Sequence, residues 1–307
     1  MALRLHRFTF KAMACRNELS LYCQSKHAAS LIAKRAIMEA NRLEQKYSRY
    51  LPDSILSMIN ARAGQPGVIV DSETAALLDY AQTCFHQSHG LFDVTSGVLR
   101  RVWDFGGNRL PDRQEVDEIQ NLIGWNKIDW TPPRITLPLL GMELDFGGIV
   151  KEYAADSCAK LCRGMGISSG LVNMGGDIHV IGPRPNGSPW TIGIQDPGNP
   201  DRVVTSVELS HGGLASSGDY QRCMLIDGKR YSHILNPVTG WPVQGLHAVS
   251  VFGPRCLVAG STSTIAMLKG EEGKQWLDST GLPYIWIDEQ GECYSNDLLV
   301  GNTAQVI

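Results

Sequence analysis

Residues 144–151 read Leu144-Asp145-Phe146-Gly147-Gly148-Ile149-Val150-Lys151. An acid and two glycines give way to an apolar run with helical spacing. The pattern predicts an extended strand, a glycine turn, and a helix over 149–165 closed by Gly164 and Gly166. Amides at such a helix start point outward and glycine permits close approach, so the segment suits a phosphate, with Lys151 in the first turn. A plain strand-to-helix turn carrying a surface lysine fits the same letters equally well. The segment is neither GxGxxG nor a Walker A loop.

Outward from this point the pattern is mixed α and β. Residues 7–24 alternate polar and apolar and predict a strand pair or one long strand. Helical spacing follows over 25–47, a loop over 48–54 with Asp53 or Ser54 as cap, and a short helix over 56–60. Further helices are expected over 72–87 and 111–125, and strands within 127–145. The stretch 170–182, GLVNMGGDIHVIG, reads as one strand interrupted by a glycine pair. Strands are expected at 190–195, 202–210, 222–226 and 246–252, helices at 256–269 and 273–280, and a closing hairpin around Glu289-Gln290-Gly291. No repeat or linker divides the chain, so residues 1–307 are expected to form one unit.

Composition narrows the function. The 307 residues are 43% hydrophobic and 19% charged, enough apolar surface to fold without staples. A net charge of −3 and the lack of a long basic run argue against a nucleic-acid surface. No stretch of membrane-spanning length is apolar, and Arg4, His6, Arg7 and Lys11 break any signal-peptide core, so a cytoplasmic location is expected. The eight cysteines contain no CxxC; Cys158 and Cys162, four apart on a helix, read as two buried thiols, and all eight are expected to be free.

Four glycine-flanked segments carry acids: 90–97 (GLFDVTSG), 144–151, 173–177 (NMGGD) and 216–220 (SSGDY). The densest polar cluster is 231–240, YSHILNPVTG. Its His233 has a pKa suited to general acid–base work, although a lone histidine in a polar loop is commonly structural. The other histidines lack metal-ligand spacing.

In order and content these segments resemble the ApbE family, the FAD:protein FMN transferases. Met13-Ala14-Cys15 is similar to the family's Met-Gly-Thr, and 47–60 to FSRYxPDSxLSxLN. Gly90 to Gly106, including Trp103, resembles GAFDPTxGPLxxLWxFG, and Leu144 to Asp156 resembles LDLGGIAKGYAxD. Gly170 to Gly182 resembles GxxNxGGDIxxxG, and Ser217 to Pro242 resembles SGDYERxxxxxGxRYSHIxDPxTGxP. The resemblance spans essentially the whole chain. It implies a single large mixed α+β domain of the ApbE/T-fold-like type, with antiparallel sheets and packed helices. It also implies that FAD is bound, that Mg²⁺ polarises the pyrophosphate, and that a Ser/Thr hydroxyl of an acceptor flavoprotein takes FMN while AMP leaves. Matched residue by residue, flavin or adenine contacts fall on Met13, Tyr50, Leu91, Phe92, Asp93, Asp145 and Lys151, with His233 as the base. Metal ligands fall on the Gly148 carbonyl and on Thr264, within a segment similar to ADALSTALFxxG.

The chain departs from the pattern at four positions: Gly260 stands for the metal-binding Asp, Cys15 for Thr, Asn236 for Asp, and Glu152 for Gly. Gly260 removes the sole carboxylate among the implied metal ligands. Asp145 or Ser261 are candidates to replace it. If none does, the expected alternatives are an FAD-binding protein with lost or reduced transfer, or a hydrolase giving FMN and AMP.

Overall fold

The computed structural model describes residues 2–107, 109–220 and 222–301. The chain opens with an antiparallel hairpin, β1 (Arg4–Ala12) and β2 (Cys15–Cys23). Its two-residue turn, Met13-Ala14, holds both residues at positive φ, +55° and +59°. Such a turn matches strand twist but ordinarily takes Asn-Gly, so two side-chain-bearing residues here store strain.

Next come α1 (Lys26–Tyr47), capped by Ser25, and α2 (Ile55–Ala61), capped by Ser54. Then come β3 (Val68–Ile69) and α3 (Ser72–Gln87), whose cap Asp71 accepts from the Glu73 and Thr74 amides. The helix expected over 111–125 is shorter: α4 spans Arg113–Gln120, its start fixed by a capping box between Asp112 and Glu115. The strands expected within 127–145 reduce to β4 (Asp129–Thr131) and β5 (Arg134–Thr136), which pair with β3 in a small sheet.

The remaining elements are α5 (Val150–Gly164), β6 (Gly170–Met174), β7 (Asp177–Gly182), β8 (Trp190–Asp196), β9 (Asn199–Leu209) and β10 (Gly212–Gly218). They continue through β11 (Cys223–Ile226), β12 (Lys229–Ser232), β13 (Ala248–Gly253), α6 (Cys256–Lys269), α7 (Glu272–Ser279), β14 (Tyr284–Ile287), β15 (Cys293–Ser295) and α8 (Leu298–Gly301).

Eight strands form one antiparallel sheet in the order β1-β2-β6-β7-β10-β13-β14-β15. Helices α1, α5 and α6 cover one face, and the β8–β9 ribbon covers the other. Alternation assigns the sides. On β13, Val249 and Val251 face the helices while Ala248 and Phe252 join Trp190, Ile192 and Val207 under the ribbon. A third cluster, with Trp103 between Phe105 and Trp241, anchors the β11–β12 arm to the 96–105 segment.

Three expectations need correction. Residues 170–182 are not one interrupted strand: β6 and β7 reverse on each other, because Gly175 and Gly176 take positive φ of +63° and +104°. β10, with sequence GGLASSG, was not expected as a strand, yet it lies near the centre of the sheet between β7 and β13. Its weak intrinsic propensity yields to two paired neighbours. The segment before Gly147 is not in a strand. It is held by the Asn60 side chain and by the Val94 carbonyl, which accepts from the Asp145 amide.

All eight cysteines are free, and Cys158 and Cys162 are buried. No helix among the described residues is long and apolar enough to cross a membrane.

A charge network ties α1 to α3. Arg42 donates to both Glu73 oxygens and Lys46 reaches both Glu73 and Asp71. Arg42, with Lys46, holds the Glu73 carboxyl down at about 2 despite partial burial. A carboxylate depressed in the folded state adds stability above its unfolded pKa, and that stability is lost as pH falls through the folded value. Glu73→Gln should therefore lose about 1–2 kcal/mol at pH 7 after solvent screening, and flatten the fall in stability between roughly pH 4.5 and 2. Urea unfolding across that range measures both.

Candidate active site

The motif segments meet beside the first turn of α5. Asn60 on α2 reaches 84 residues along the chain: its Nδ2 donates to the Leu144 carbonyl at 3.0 Å, and the Leu144 amide donates to its Oδ1 at 2.7 Å. One residue later, Asp145 pairs with Arg49 and its Oδ1 accepts from the Gly147 amide at 2.9 Å. A Cβ on Gly97 would lie 2.6 Å from the Asp145 Cβ, so glycine is required there. The Arg49 guanidinium also covers the ring of Tyr50, 4.9 Å from its centroid, leaving that ring exposed. Tyr50 and Asp145 are thus joined through Arg49.

Phe92 is buried against Gly148, where an added Cβ would sit 3.5 Å from the ring. Leu91 is half-buried beside it. Asp93 turns inward. Its oxygens accept from the Thr95 amide and hydroxyl at 2.8 and 2.7 Å and from the Trp125 amide at 2.9 Å, and burial keeps its pKa above the usual range. The geometry gives Asp93 the task of ordering the 90–97 loop.

On the same turn of α5, Lys151 Nζ pairs with Asp177 Oδ2 at 2.7 Å. Burial alone would drive this ammonium toward neutrality; the charges of Asp177 and Glu152 outweigh it and raise its pKa. The hairpin turn is close by. A Cβ on Gly175 would fall 2.9 Å from Cys15 Sγ, and the Met13 amide donates to Glu44 Oε1 at 2.7 Å.

Glu152 is the next residue and is only 7% exposed. Burial, and then the charge of Asp177, raises its pKa. Its Oε2 is buried with no hydrogen-bond partner among the described residues.

Helix α6 faces α5 across this cluster. Asp156 holds its start, accepting from the Cys256 and Leu257 amides at 2.8 and 3.1 Å, and is itself bound by His179 Nδ1 at 2.5 Å. Gly260 lies against Glu152, and Thr264 follows one turn later on the same side of α6. Thr264 Oγ1 is 3.0 Å from Ser217 Oγ on β10.

His233 lies in the loop after β12. Its Nδ1 is 3.1 Å from the Arg222 carbonyl, which can only accept, so Nδ1 carries the proton and Nε2 keeps its lone pair. Burial lowers its pKa; the Arg222 carbonyl opposes this, and the Arg222 and Lys151 charges reinforce it.

Sequence reasoning missed Arg49, Asn60 and Asp156 as organisers of the site. Each sits inside a motif already recognised, and each acts on a different motif. A cavity of about 460 Å³ lies between the sheet and the β8–β9 ribbon, lined by Arg7, Asn173, Asp177, Trp190 and Ser216 among others, and it adjoins the cluster through Asp177. None of the expected flavin-binding residues lines it.

The ApbE family model matches residues 13–286. The chain belongs to the ApbE family. A Treponema pallidum protein named FAD:protein FMN transferase is 31% identical over 239 residues, 72% of this chain and 66% of that protein. The Escherichia coli K12 protein of the same name is 30% identical over 264 residues, 82% of this chain and 75% of that one. The ApbE protein of Thermotoga maritima superposes with a TM-score of 0.89 at 28% identity, covering 97% of this chain and 98% of that one. The flavinyl transferase ApbE of Pseudomonas stutzeri, in its apo form, gives 0.86, also at 28% identity, covering 97% and 96%. The ApbE fold therefore applies across the α+β unit described above.

Asn60→Ala removes two hydrogen bonds that join two family motifs. It should cost about 2 kcal/mol at about 1 kcal/mol per bond. Urea denaturation measures the loss, and Asn60→Asp, which keeps the acceptor, should lose less.

Proposed function

We propose that the protein transfers FMN from FAD to a Ser or Thr hydroxyl of an acceptor flavoprotein, with release of AMP. The observation that carries the reading is convergence. Segments matched by the ApbE family model are joined at the start of α5: Lys151 pairs with Asp177 at 2.7 Å, the Ser216 amide donates to Asp177 Oδ1 at 3.4 Å, and the neighbouring Ser217 hydroxyl lies 3.0 Å from Thr264 Oγ1. The relatives' shared name supplies the reaction.

The chain's own residues match the demands of phosphoryl transfer, which needs positioning and charge neutralisation more than covalent help. His233 Nε2, unprotonated near neutral pH, accepts the proton of the acceptor hydroxyl. That oxygen attacks the FMN phosphorus, and the bond from this phosphorus to the bridging oxygen breaks, leaving AMP. The start of α5 and Lys151 supply positive potential for the pyrophosphate. Arg49 fixes Asp145 and backs the Tyr50 ring, whose exposed surface leaves it free to stack on a planar ligand.

Among the described residues no three His, Cys, Asp or Glu side chains are grouped to hold a metal. The implied donors, the Gly148 carbonyl and Thr264 hydroxyl, are neutral oxygens; the Glu152 carboxyl lies close to Gly260, one turn before Thr264, through its Oε1, and its Oε2 has no hydrogen-bond partner among the described residues. Such oxygens fit a hard cation that also takes substrate phosphate and water. Bound there, Mg²⁺ would withdraw charge from the pyrophosphate.

The test is AMP release from FAD, and flavin covalently retained on acceptor protein after denaturation, with Mg²⁺ and with a chelator. Transfer predicts both signals, and only with acceptor present. AMP without acceptor would indicate hydrolysis, and FAD binding without AMP would indicate a carrier. His233→Asn should lower kcat by about 10²–10⁴-fold, the usual range for a lost general base. With its pKa lowered, His233 stays unprotonated further into acid, so the wild-type rate should hold at neutral pH. It should fall only as pH drops through a value below the ordinary 6.5 of histidine.

A further inference from the structure

Glu152 and Gly260 are two departures from the family pattern, on different helices and 108 residues apart in sequence. The structure makes them one feature. A Cβ built on Gly260 would lie 2.5 Å from Glu152 Cγ and 3.0 Å from both its Cδ and its Oε1. Real Cβ atoms do not approach that closely, so the Glu152 carboxymethyl occupies the path that a side chain at 260 would take. A glutamate in this position on α5 and an aspartate on α6 cannot both occupy this volume unless one of them shifts.

The other candidates for a replacement carboxylate are committed elsewhere. Asp145 pairs with Arg49 and accepts from the Gly147 amide. Ser261 is neutral, and its hydroxyl lies 2.6 Å from the Tyr80 hydroxyl. Asp177 pairs with Lys151. Glu152 remains: more than nine-tenths buried, beside Gly260, with Oε2 lacking any hydrogen-bond partner among the described residues. Thr264 stands one turn along α6 from Gly260. A buried carboxylate oxygen left without a partner is costly unless a cation or another donor completes it.

We propose that Glu152 supplies the carboxylate of the divalent-cation site, reaching from α5 into the space vacated by Gly260. The site keeps its anionic oxygen, and the ligand has moved from one helix to the other. This rests on the FMN-transferase reading for the role of the cation, not for the geometry.

The experiment is Mn²⁺ titration followed by electron paramagnetic resonance, with and without FAD, alongside FAD titration in metal-free buffer. The proteins are the wild type, Glu152→Gln and the double variant Glu152→Gly/Gly260→Asp. Glu152→Gln keeps the packing and removes the charge. It should weaken Mn²⁺ at least tenfold and leave metal-free FAD binding within about twofold. The double variant should recover Mn²⁺ affinity to within a few-fold of wild type. Unchanged Mn²⁺ affinity in Glu152→Gln overturns the proposal, as does wild-type protein that binds FAD but no Mn²⁺; in that case Glu152 only plugs the site. If no protein binds FAD, the transferase reading falls, while the FAD-free Mn²⁺ titrations still decide the role of Glu152.

A second readout addresses the shared volume. Gly260→Ala should lower the melting temperature in the wild-type background and do so far less in Glu152→Gly. Equal losses in both backgrounds would show that the two positions do not compete for space, and would overturn the exchange.

Discussion

The burial of ionisable groups at the start of α5 is the constraint around which this end of the molecule is arranged. Glu152 and Asp177 are buried where the sheet, α5 and α6 meet, and Lys151 is half-buried beside them. A buried charge is tolerable only when opposed at close range. Lys151 and Asp177 meet that condition at 2.7 Å. Glu152 does not meet it fully, since one of its oxygens faces no donor. On the proposed reading, such an imbalance, in a core otherwise built from Leu, Ile, Val and Ala, serves binding rather than stability.

The family motifs are best understood as contacts between one another. The asparagine that closes the 47–60 motif hydrogen-bonds the backbone of the 144–156 motif. The aspartate that ends the latter caps the helix carrying the late threonine. The Trp103 indole donates to the Gly240 carbonyl, and Gln120 on α4 donates to the Val238 carbonyl, so the 90–106 motif and α4 together hold the loop that follows His233. On the proposed reading, these motifs each contribute one group to the ligand side and another that fixes a neighbouring motif. Under that reading, side chains in the second class would hold those in the first to the accuracy that phosphoryl transfer requires.

The four departures divide the same way. Cys15 Sγ lies 3.1 Å from Asn17 Oδ1 and 3.3 Å from the Ala12 carbonyl, as a weak donor in place of a hydroxyl. Asn236 Oδ1 accepts from the Val238 and Thr239 amides, a turn that needs an oxygen and no charge. These two exchanges preserve local hydrogen bonding. Glu152 and Gly260 change shape and charge together, and make sense only as a pair.

The amino-acid sequence by itself determined the helices, their caps and the α+β class. The reason is that helix periodicity and capping are local: Ser25, Ser54, Asp71 and Asp112 each act within three residues. It also marked segments that the fold brings together beside α5, because the glycines and acids cluster in short motifs. It did not reveal that Asp93 points inward, since that depends on an amide at Trp125 brought near by the fold. Nor could it show β10 as a central strand, because GGLASSG has little strand preference and is held by its neighbours on both sides. The tertiary structure alone decided that Glu152 fills the space beside Gly260, because no local rule couples residues on two helices until their packing brings them to one point.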